Sequence, residues 1–366
     1  MDVIAFVNNL FNEAVANRAS DIHVEPSMED LIIRQRIDGY LVETCRLPLQ
    51  EAKGILSRLK IMGQLDIGEK RLPQDGAMTI QVGEKFLEVR LATLPVLYGE
   101  KIVLRLLPSE LAVRTLSELG MEIIEVDRVS KLLHRQGLVA ITGPTGAGKT
   151  TTLYTLLTLL DHRRRNIITL EDPIEVQLAG INQVQVHHKI GFTFAKGLRA
   201  ILRQDPDVIM IGEIRDQETA EIAIEAALTG HLVLTSLHTA DGSSVISRLI
   251  DMGIPSYLVA SALSGIVAQR LMRLTCGKCK GKGCLHCRSS GYFNRTGIFE
   301  VLSLDETTQH LIMNHPSVSQ IRQHFQNKGF RMMEQSLLQK YEQGLTTIEE
   351  LKRMESEMIK IAQLEK

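Results

Sequence analysis

Hydrophobic and polar positions change their spacing along the chain, and the first pattern marks an N-terminal region. Apolar residues recur at helical spacing over residues 3–17 and again over 50–62. Between these two stretches, apolar and polar residues alternate over 31–37 and meet an Asp-Gly turn, which is typical of a β-hairpin. Three more short runs of strand character follow. Residues 1–107 are therefore predicted to form one small α/β domain.

A second region begins after a candidate linker at residues 108–120, which contain a proline, a possible helical turn and a glycine. From residue 121 onward, short apolar runs alternate with helical patterns. This alternation predicts a parallel sheet with right-handed crossovers in a second domain, residues 121–366. The runs predicted as strands are 138–142, 167–171, 207–212 and 231–236.

Further helices are predicted in the second region. A helix over 216–230 has Asp216 as its N-cap and a glycine at its end. Residues 241–274 are predicted as two more helices, and 300–366 as a helical C-terminal region. The most apolar helical candidate, residues 257–274, is interrupted by three polar residues and Arg270, so it is predicted to be buried rather than membrane-spanning.

One glycine-rich loop stands between a predicted strand and a predicted helix. The loop fits the pattern G-x-x-x-x-G-K-[ST], whose backbone N–H groups cradle a polyphosphate at the start of a helix. We expect Lys149 to reach the β- and γ-phosphates of ATP and the Thr150 hydroxyl to bind Mg²⁺. The predicted nucleotide-binding residues are Gly143, Pro144, Thr145, Gly146, Ala147, Gly148, Lys149, Thr150 and Thr151.

Acidic and histidine side chains follow the other predicted strands. Glu171 and Glu213 each come at the carboxyl end of a strand, where α/β sheets bind ligands. One of them could orient or deprotonate water while the other holds the metal shell, and the sequence leaves this division open. His238 ends the fourth strand and is a candidate γ-phosphate sensor, whereas for His231, at the start of that strand, a sensor and a structural role stay equally open.

The overall composition is that of an ordinary globular protein. The formal net charge is −1, and aromatic residues make up 4% of the chain. There is thus no basic field or aromatic stripe that would favour direct nucleic-acid binding. The N-terminus does not fit a secretory signal, so a cytoplasmic location is expected.

Four of the five cysteines lie close together in the segment CGKCKGKGCLHC. Two C-x-x-C pairs in a cytosolic chain favour a structural Zn²⁺ site over disulfides. The predicted ligands, within a metal-binding segment 276–297, are Cys276, Cys279, Cys284 and Cys287. Cys45 stands apart and is predicted to be a small, partly buried side chain.

The motifs together resemble a known family. The segments GPTGAGKTTTLY, ITLEDPIE, DPDVIMIGEIRD and TGHLVLTSLHT, with ASDIHVEP, RLPQDG and TLPVLYGEKIVLRLL upstream, are similar to those of secretion ATPases. These ATPases drive type II secretion, type IV pilus assembly and DNA-uptake pseudopili. The resemblance covers residues 14–350 approximately and implies an α/β fold in which a small N-terminal domain precedes a RecA-like P-loop ATPase domain with a tetracysteine insert and a helical tail.

The resemblance also implies roles for particular residues. It identifies Glu171 with an acidic box, Glu213 with the Walker B position, and His231 and His238 with a histidine box. Arg90 and Arg105 fall on strands of the first domain, where the residues alone predict solvated side chains. The resemblance implies instead that both arginines sense the nucleotide, a role suited to a guanidinium group.

Partners follow from the resemblance as well. It implies a homo-hexamer that works with an inner-membrane platform protein, on the cytoplasmic face of the membrane. The motifs of the family begin near the first residue of the chain. This short form resembles the competence ATPases of Gram-positive bacteria and also pilus-retraction motors. Retraction motors usually lack the cysteines, so a competence-type assembly ATPase is the favoured interpretation. The cysteine pairs are separated by only four residues, fewer than in many members, which makes a single zinc site strained but feasible.

Two alternative functions stay open at this point. One is a pilus-retraction or conjugation-type secretion ATPase, which the cysteines and the upstream motifs disfavour. The other is a zinc-dependent nucleic-acid-binding module with a regulatory nucleotide site, which the near-neutral charge disfavours.

Overall fold

The computed structural model of the protein describes residues 1–107 and 114–364. The chain divides into two compact units, Met1–Leu111 and Ala112–Lys366. Of the predicted linker, residues 108–113 lie outside the described residues, and the remainder contains a short helix that Thr115 caps. Among the residues that are described, no helix is both long enough and apolar enough to cross a bilayer.

The first unit is built on a six-stranded antiparallel sheet that packs against two helices. Its elements are α1 (Val3–Ala16), β1 (Asp21–Pro26), β2 (Asp30–Ile37), β3 (Tyr40–Pro48), α2 (Ala52–Met62), β4 (Gln74–Val82), β5 (Lys85–Val96) and β6 (Gly99–Leu107). The strand order is β3-β2-β1-β6-β5-β4. The side chain of Asp2 accepts hydrogen bonds from two backbone N–H groups at the start of α1, and Val7 and Phe11 of that helix are buried in the core of the unit. The predicted α/β character of this region is confirmed.

The second unit contains a seven-stranded, mostly parallel sheet with helices around it. Its elements are α3 (Leu116–Leu119), α4 (Ile123–Leu133), β7 (Gly137–Thr142), α5 (Lys149–Thr158), β8 (Ile167–Glu171), β9 (Asn182–Gln185), α6 (Phe194–Ile201), β10 (Val208–Ile211), α7 (Gln217–Leu228), β11 (Leu232–Leu237), α8 (Ser243–Asp251), α9 (Ser256–Ala262), β12 (Leu263–Thr275), β13 (Tyr292–Ser303), α10 (Glu306–Met313), α11 (Val318–Asn327), α12 (Met333–Glu342) and α13 (Ile348–Leu364). The four predicted strands correspond to β7, β8, β10 and β11.

The order of strands in the second sheet determines which loops meet. That order is β13-β12-β7-β11-β10-β8-β9, and every neighbouring pair is parallel except β12 and β13. The carboxyl ends of β7, β11, β10 and β8 therefore lie side by side at one edge. The phosphate loop, the two candidate acidic residues and His238 all follow these strand ends, so the topology brings them to the same edge.

The prediction of a buried helix over residues 257–274 is wrong for most of that segment. Only Ser256–Ala262 is helical, and Leu263–Thr275 forms β12, which pairs with β7 on one side and β13 on the other. Because β12 is buried on both faces, its apolar run is nearly continuous and its periodicity does not separate strand from helix. The β-branched pair Ile266 and Val267 was the available sign of a strand.

The C-terminal region is helical from residue 306 rather than from 300. Glu300–Ser303 are the last residues of β13, and α10–α13 follow. Helices α12 and α13 bury apolar side chains against β12 and β13. The buried members of this cluster are Ala268, Met272, Ile298, Met333, Leu337, Leu351, Met354 and Met358.

Candidate functional site

The phosphate loop joins β7 to α5 and has the backbone conformation that its glycines permit. Gly143, Gly146 and Gly148 have φ values of +150°, +79° and +90°. A Cβ atom on Gly143 would lie 2.3 Å from the carbonyl oxygen of Gln269 on β12, so only glycine fits there. The loop leads directly into the N-terminus of α5, where backbone N–H groups are open to an anion.

Lys149 is held inside the loop, with 8% of its surface exposed. Its Nζ atom donates hydrogen bonds to the carbonyl oxygens of Gly143, at 2.7 Å, and Pro144, at 3.2 Å. Burial lowers the pKa of Lys149 to about 8, and the nearby Glu213 carboxylate acts in the opposite direction. A bound phosphate would raise that pKa again, because its negative charge stabilises the ammonium form of the side chain.

Glu213 and His238 lie next to this lysine at the same edge of the sheet. The Glu213 carboxylate contacts Arg215 Nη2 at 2.6 Å and His238 Nε2 at 3.6 Å. His238 Nδ1 lies 3.4 Å from Lys149 Nζ. Burial, followed by the positive charge of Lys149, lowers the pKa of His238, so its imidazole is neutral at neutral pH. The three predicted side chains thus form one connected group.

Glu171 is also at this edge, but its carboxylate is buried and fully engaged. It accepts hydrogen bonds from the Tyr154 hydroxyl, from the Thr169 hydroxyl and, at 3.1 Å, from the Gln183 side chain. Only 3% of Glu171 is exposed. In this arrangement Glu171 positions Tyr154, whose hydroxyl in turn accepts a hydrogen bond from the backbone of Glu175 at 3.2 Å.

Glu175 is the acidic residue that lies beside the predicted magnesium ligand. Its Oε1 atom is 3.5 Å from the Thr150 hydroxyl. A carboxylate and a hydroxyl in this position could both serve a hard divalent cation, directly or through water. The residues present therefore fit the requirements of a nucleotide with Mg²⁺.

His231 does not join the group formed by Lys149, Glu213 and His238. It precedes β11, and its backbone oxygen accepts a hydrogen bond from Gly137 at the amino end of β7. Its Nδ1 atom is 2.8 Å from the carbonyl oxygen of Ala226. Because a strand rises about 3.3 Å per residue, His231 lies roughly 20 Å from His238. Of the two histidines, the structure brings only His238 to the phosphate loop.

Arg90 and Arg105 belong to the first unit and face each other across two strands. They are directly paired residues in the antiparallel ladder of β5 and β6. Arg105 Nε contacts Asp21 Oδ1 at 3.1 Å, and Arg90 Nε lies 3.9 Å from Glu88 Oε1. Like charges at directly paired positions destabilise a sheet. Here each arginine has a carboxylate beside it, Asp21 for Arg105 and Glu88 for Arg90, which offsets the repulsion.

The four clustered cysteines converge on one point. All four Sγ atoms lie within 4.8 Å of one another, and three of the separations are 4.0, 3.6 and 3.7 Å. Tetrahedral zinc with Zn–S bonds of about 2.3 Å requires S–S distances of about 3.8 Å. Backbone N–H groups of Gly283 and Cys284 also donate to sulfur atoms of the cluster, at 3.2 and 3.1 Å. The four sulfur atoms are therefore placed to bind one metal ion, although only four residues separate the two cysteine pairs.

Three side chains that support the site were missed from the sequence. Arg215 pairs with Glu213, Tyr154 binds Glu171, and the Gln269 side chain donates to the carbonyl oxygen of Ala147 at 2.7 Å. A lone glutamine inside an apolar run was a usable sign for Gln269, and so was the spacing of Arg215 two residues after Glu213. Nothing local distinguishes Tyr154 from a core aromatic residue.

Known proteins resemble the chain over nearly its whole length. The sequence profile of the family described as "Type II/IV secretion system protein" matches residues 1–353. Type II secretion system protein E of Pseudomonas aeruginosa is 43% identical over 385 aligned positions, which cover 97% of this chain and 76% of that protein. Type IV pilus assembly ATPase PilB of Myxococcus xanthus is 43% identical, with coverage of 95% and 67%. The crystal structure of the pilus retraction motor PilT with bound ADP superposes with a TM-score of 0.66 at 29% identity, covering 94% of this chain and 95% of that one.

Proposed function

This chain belongs to the family of type II/IV secretion system proteins, and from that membership we propose that it is an ATP-hydrolysing motor that powers fibre assembly. The fibre would be a type IV pilus-like or competence pseudopilus, or that of a type II secretion system. The observation that carries this proposal is the buried ammonium group of Lys149 in a phosphate loop, beside Glu213 and His238. This group of residues occurs in a chain that is 43% identical both to type II secretion protein E and to a pilus assembly ATPase.

The phosphate loop, Gly143–Thr151, would hold ATP with Mg²⁺. Lys149 would leave its carbonyl partners for the β- and γ-phosphates, and the Thr150 hydroxyl would face the metal ion. Mg²⁺, when bound, would neutralise part of the negative charge of the phosphates. The backbone N–H groups at the start of α5, which no side chain caps, would orient the phosphates.

The acidic residues would divide the work between them. Glu213 has the more accessible carboxylate, with 15% of its side chain exposed, and it contacts both His238 and Arg215. It is therefore our candidate for orienting the attacking water near the γ-phosphate, with His238 as the sensor of that phosphate. Glu171 would act through Tyr154 and Glu175 and contact the reacting atoms only if Tyr154 moves.

The working form would be a homo-hexamer at the cytoplasmic face of the cell membrane, attached there to an inner-membrane platform protein. The retraction alternative rests on the similarity to PilT, which at 29% identity is weaker than the 43% identity to the assembly ATPase. Complementation separates the two functions. Expression of the chain should restore fibres in a host that lacks its own assembly ATPase. If the chain instead restores only fibre retraction, in a host that lacks its retraction motor, the assembly proposal is overturned.

The nucleic-acid alternative is tested by a salt titration. Direct binding through phosphate contacts would make DNA affinity fall steeply with salt concentration. Because the net charge is −1, we expect little binding to DNA at any salt concentration. Tight, steeply salt-dependent binding would instead favour the zinc-dependent nucleic-acid module.

Arg90 and Arg105 would sense charge on the transferring phosphoryl group. We expect Arg90→Ala and Arg105→Ala each to lower kcat by about 10-fold or more, with a smaller change in KM, because such a contact strengthens in the transition state. Steady-state ATPase kinetics measure this. Arg46→Ala is a matched control, since Arg46 lies on β3 of the same unit, is 51% exposed and pairs with Glu43 and Asp30. Unchanged kinetics in both variants would return these arginines to a surface role.

The four-cysteine cluster would bind one structural Zn²⁺ per subunit. The segment 277–283 contains three lysines and three glycines and no large apolar residue, so it has little else to fold around. The cluster provides all four ligands and leaves no open position, which argues against a role in hydrolysis.

A variant carrying both Cys276→Ser and Cys279→Ser is expected to lose the metal and to melt several degrees below the parent, while still binding ATP. Elemental analysis and thermal unfolding measure the two effects, and Cys45→Ser is the matched control because Cys45 lies in the other unit. Purified, reduced protein without metal, together with a double variant that melts like the parent, would contradict the zinc proposal.

A further inference from the structure

The loop after β11 connects the nucleotide site to the C-terminal helices of the second unit. This sensor loop, residues 238–242, begins at His238 beside Lys149. It is anchored on the site side by Thr239, whose hydroxyl lies 2.7 Å from the Thr142 hydroxyl at the end of β7. Its far end, Asp241 and Gly242, contacts α11 and β13.

Glu300 on β13 binds two separate elements with one carboxylate. Its Oε1 atom accepts a hydrogen bond from the backbone of Gly242 at 3.2 Å, and its Oε2 atom accepts one from the backbone of Met333, the first residue of α12, at 3.0 Å. Glu300 is 2% exposed, so water cannot readily replace either bond. A Cβ atom on Gly242 would lie 2.6 Å from Glu300 Oε1, which shows how closely the loop is held.

A second connection runs parallel to the first. Arg322 on α11 reaches Asp241 Oδ2 at 3.4 Å with one nitrogen and Glu334 Oε1, in the first turn of α12, at 2.6 Å with another. Burial raises the pKa of Glu300 to about 8, and the Asp241 charge adds to this effect. Arg322 thus joins the sensor loop to α12 beside the connection that Glu300 makes.

The space around this link allows movement. A cavity of about 320 Å³ borders Asp241, Glu300 and Arg322, with Met333 and Met358 also in its wall. A shift of the loop or of α12 into this cavity would not have to displace packed core atoms. The sensor loop and α12 are thus joined by one buried connection through Glu300 and one half-exposed connection through Arg322, beside this cavity.

We propose that Asp241, Glu300 and Arg322 form a link that carries the nucleotide state sensed at His238 to the first turn of α12. The three residues are positioning residues, since none of them belongs to the phosphate loop. The link rests on the proposed function, because its input is the γ-phosphate of ATP. Its output is the position of α12 and α13, which share one apolar cluster.

Hydrogen exchange on the full chain, measured with ADP and with a non-hydrolysable ATP analogue, tests the link. In the parent protein the amides at the start of α12, residues 332–336, should exchange at least about 5-fold more slowly with the ATP analogue than with ADP, the low end of ordinary coupling between sites. Asp241→Asn keeps an oxygen for the N–H group of Ser244 but removes the charge that faces Arg322. Asp241→Asn and Arg322→Gln should each reduce the difference, because each breaks the second connection while the Glu300 connection stays, and the double variant should lose no more than either single variant.

Arg199→Gln is the matched control, since Arg199 pairs with Glu218 at the surface of the same unit. The link is overturned if nucleotide slows exchange at residues 143–150 of the parent but leaves exchange at α12 unchanged. The same conclusion follows if exchange at α12 differs between the two nucleotides as much in both variants as in the parent. The link is also overturned if the losses in the two variants add. Absence of protection at residues 143–150 would overturn the proposed function itself, together with the link that rests on it.

Discussion

Replacement of Lys149 by alanine is expected to lower ATP turnover about 10³-fold. The ammonium group is the positive charge inside the phosphate loop, where Nζ is 2.7 Å from a loop carbonyl oxygen. Loss of two hydrogen bonds to charged phosphate oxygens, at about 1.5–3 kcal/mol each, removes about 3–6 kcal/mol of transition-state stabilisation. Each 1.36 kcal/mol is a factor of ten in rate, so the expected loss lies between about 10² and 10⁴. Phosphate release at saturating Mg-ATP measures it.

The matched control for this variant is Lys131→Ala. Lys131 lies on α4 of the same unit, is 69% exposed and pairs with Asp127 one helical turn away. It should keep its turnover within about twofold of the parent, since an exposed pair of this kind contributes little. Near-normal turnover in Lys149→Ala would contradict the assignment of the phosphate loop, provided that the variant is shown to be folded.

Glu213→Gln is expected to separate nucleotide binding from hydrolysis. Glutamine keeps the shape of the side chain and its contact with Arg215, but it cannot accept a proton from water or stabilise positive charge as a carboxylate does. Turnover should fall by about 10² or more, while the dissociation constant for Mg-ATP changes by less than about 10-fold. Equilibrium binding with a fluorescent ATP analogue and single-turnover hydrolysis measure the two effects.

Glu218→Gln provides the control for Glu213→Gln. Glu218 follows the same strand five residues later, and it is 58% exposed and pairs with Arg199. Its turnover should stay normal. Complete loss of Mg-ATP binding in Glu213→Gln would assign Glu213 a structural role and shift the search for the water-orienting group to Glu171 and Glu175.

Local sequence predicted the parts of the second unit in which each element carries its own signals. Strands β7 and β10 were predictable, because each is a short apolar run that is followed directly by functional residues, the phosphate loop after β7 and Glu213 after β10. Residues 263–275 were not predictable as a strand, because β12 is stabilised by its pairing with β7 and β13 and not by a local signal. The topology of the sheet edge could therefore be known only from the structure.

The site shows the same limit at the level of single side chains. The residue pattern places Glu171 and Glu213 at the carboxyl ends of two strands and His231 and His238 at the two ends of a third, but it does not show which carboxylates already have hydrogen-bond partners. Glu171 is engaged by Tyr154, a residue from the middle of α5, whereas Glu213 is partly open. His231 and His238 lie at opposite ends of β11, and of the two only His238 reaches Lys149 in the phosphate loop.

The contact of Gln269 with the phosphate loop has a consequence for the synthesis of the protein. The side chain of Gln269 donates a hydrogen bond to the carbonyl oxygen of Ala147, and its backbone oxygen lies against Gly143. In the sequence, Gln269 follows Ala147 by 122 residues. At about 5–20 residues per second, a ribosome takes roughly 6–24 s to add that length of chain. During this time the nascent loop lacks its brace, and β7 lacks the strand that covers one of its edges. We therefore expect the closure of the phosphate loop by β12 to be a late step of folding, because it joins residues that are distant in sequence.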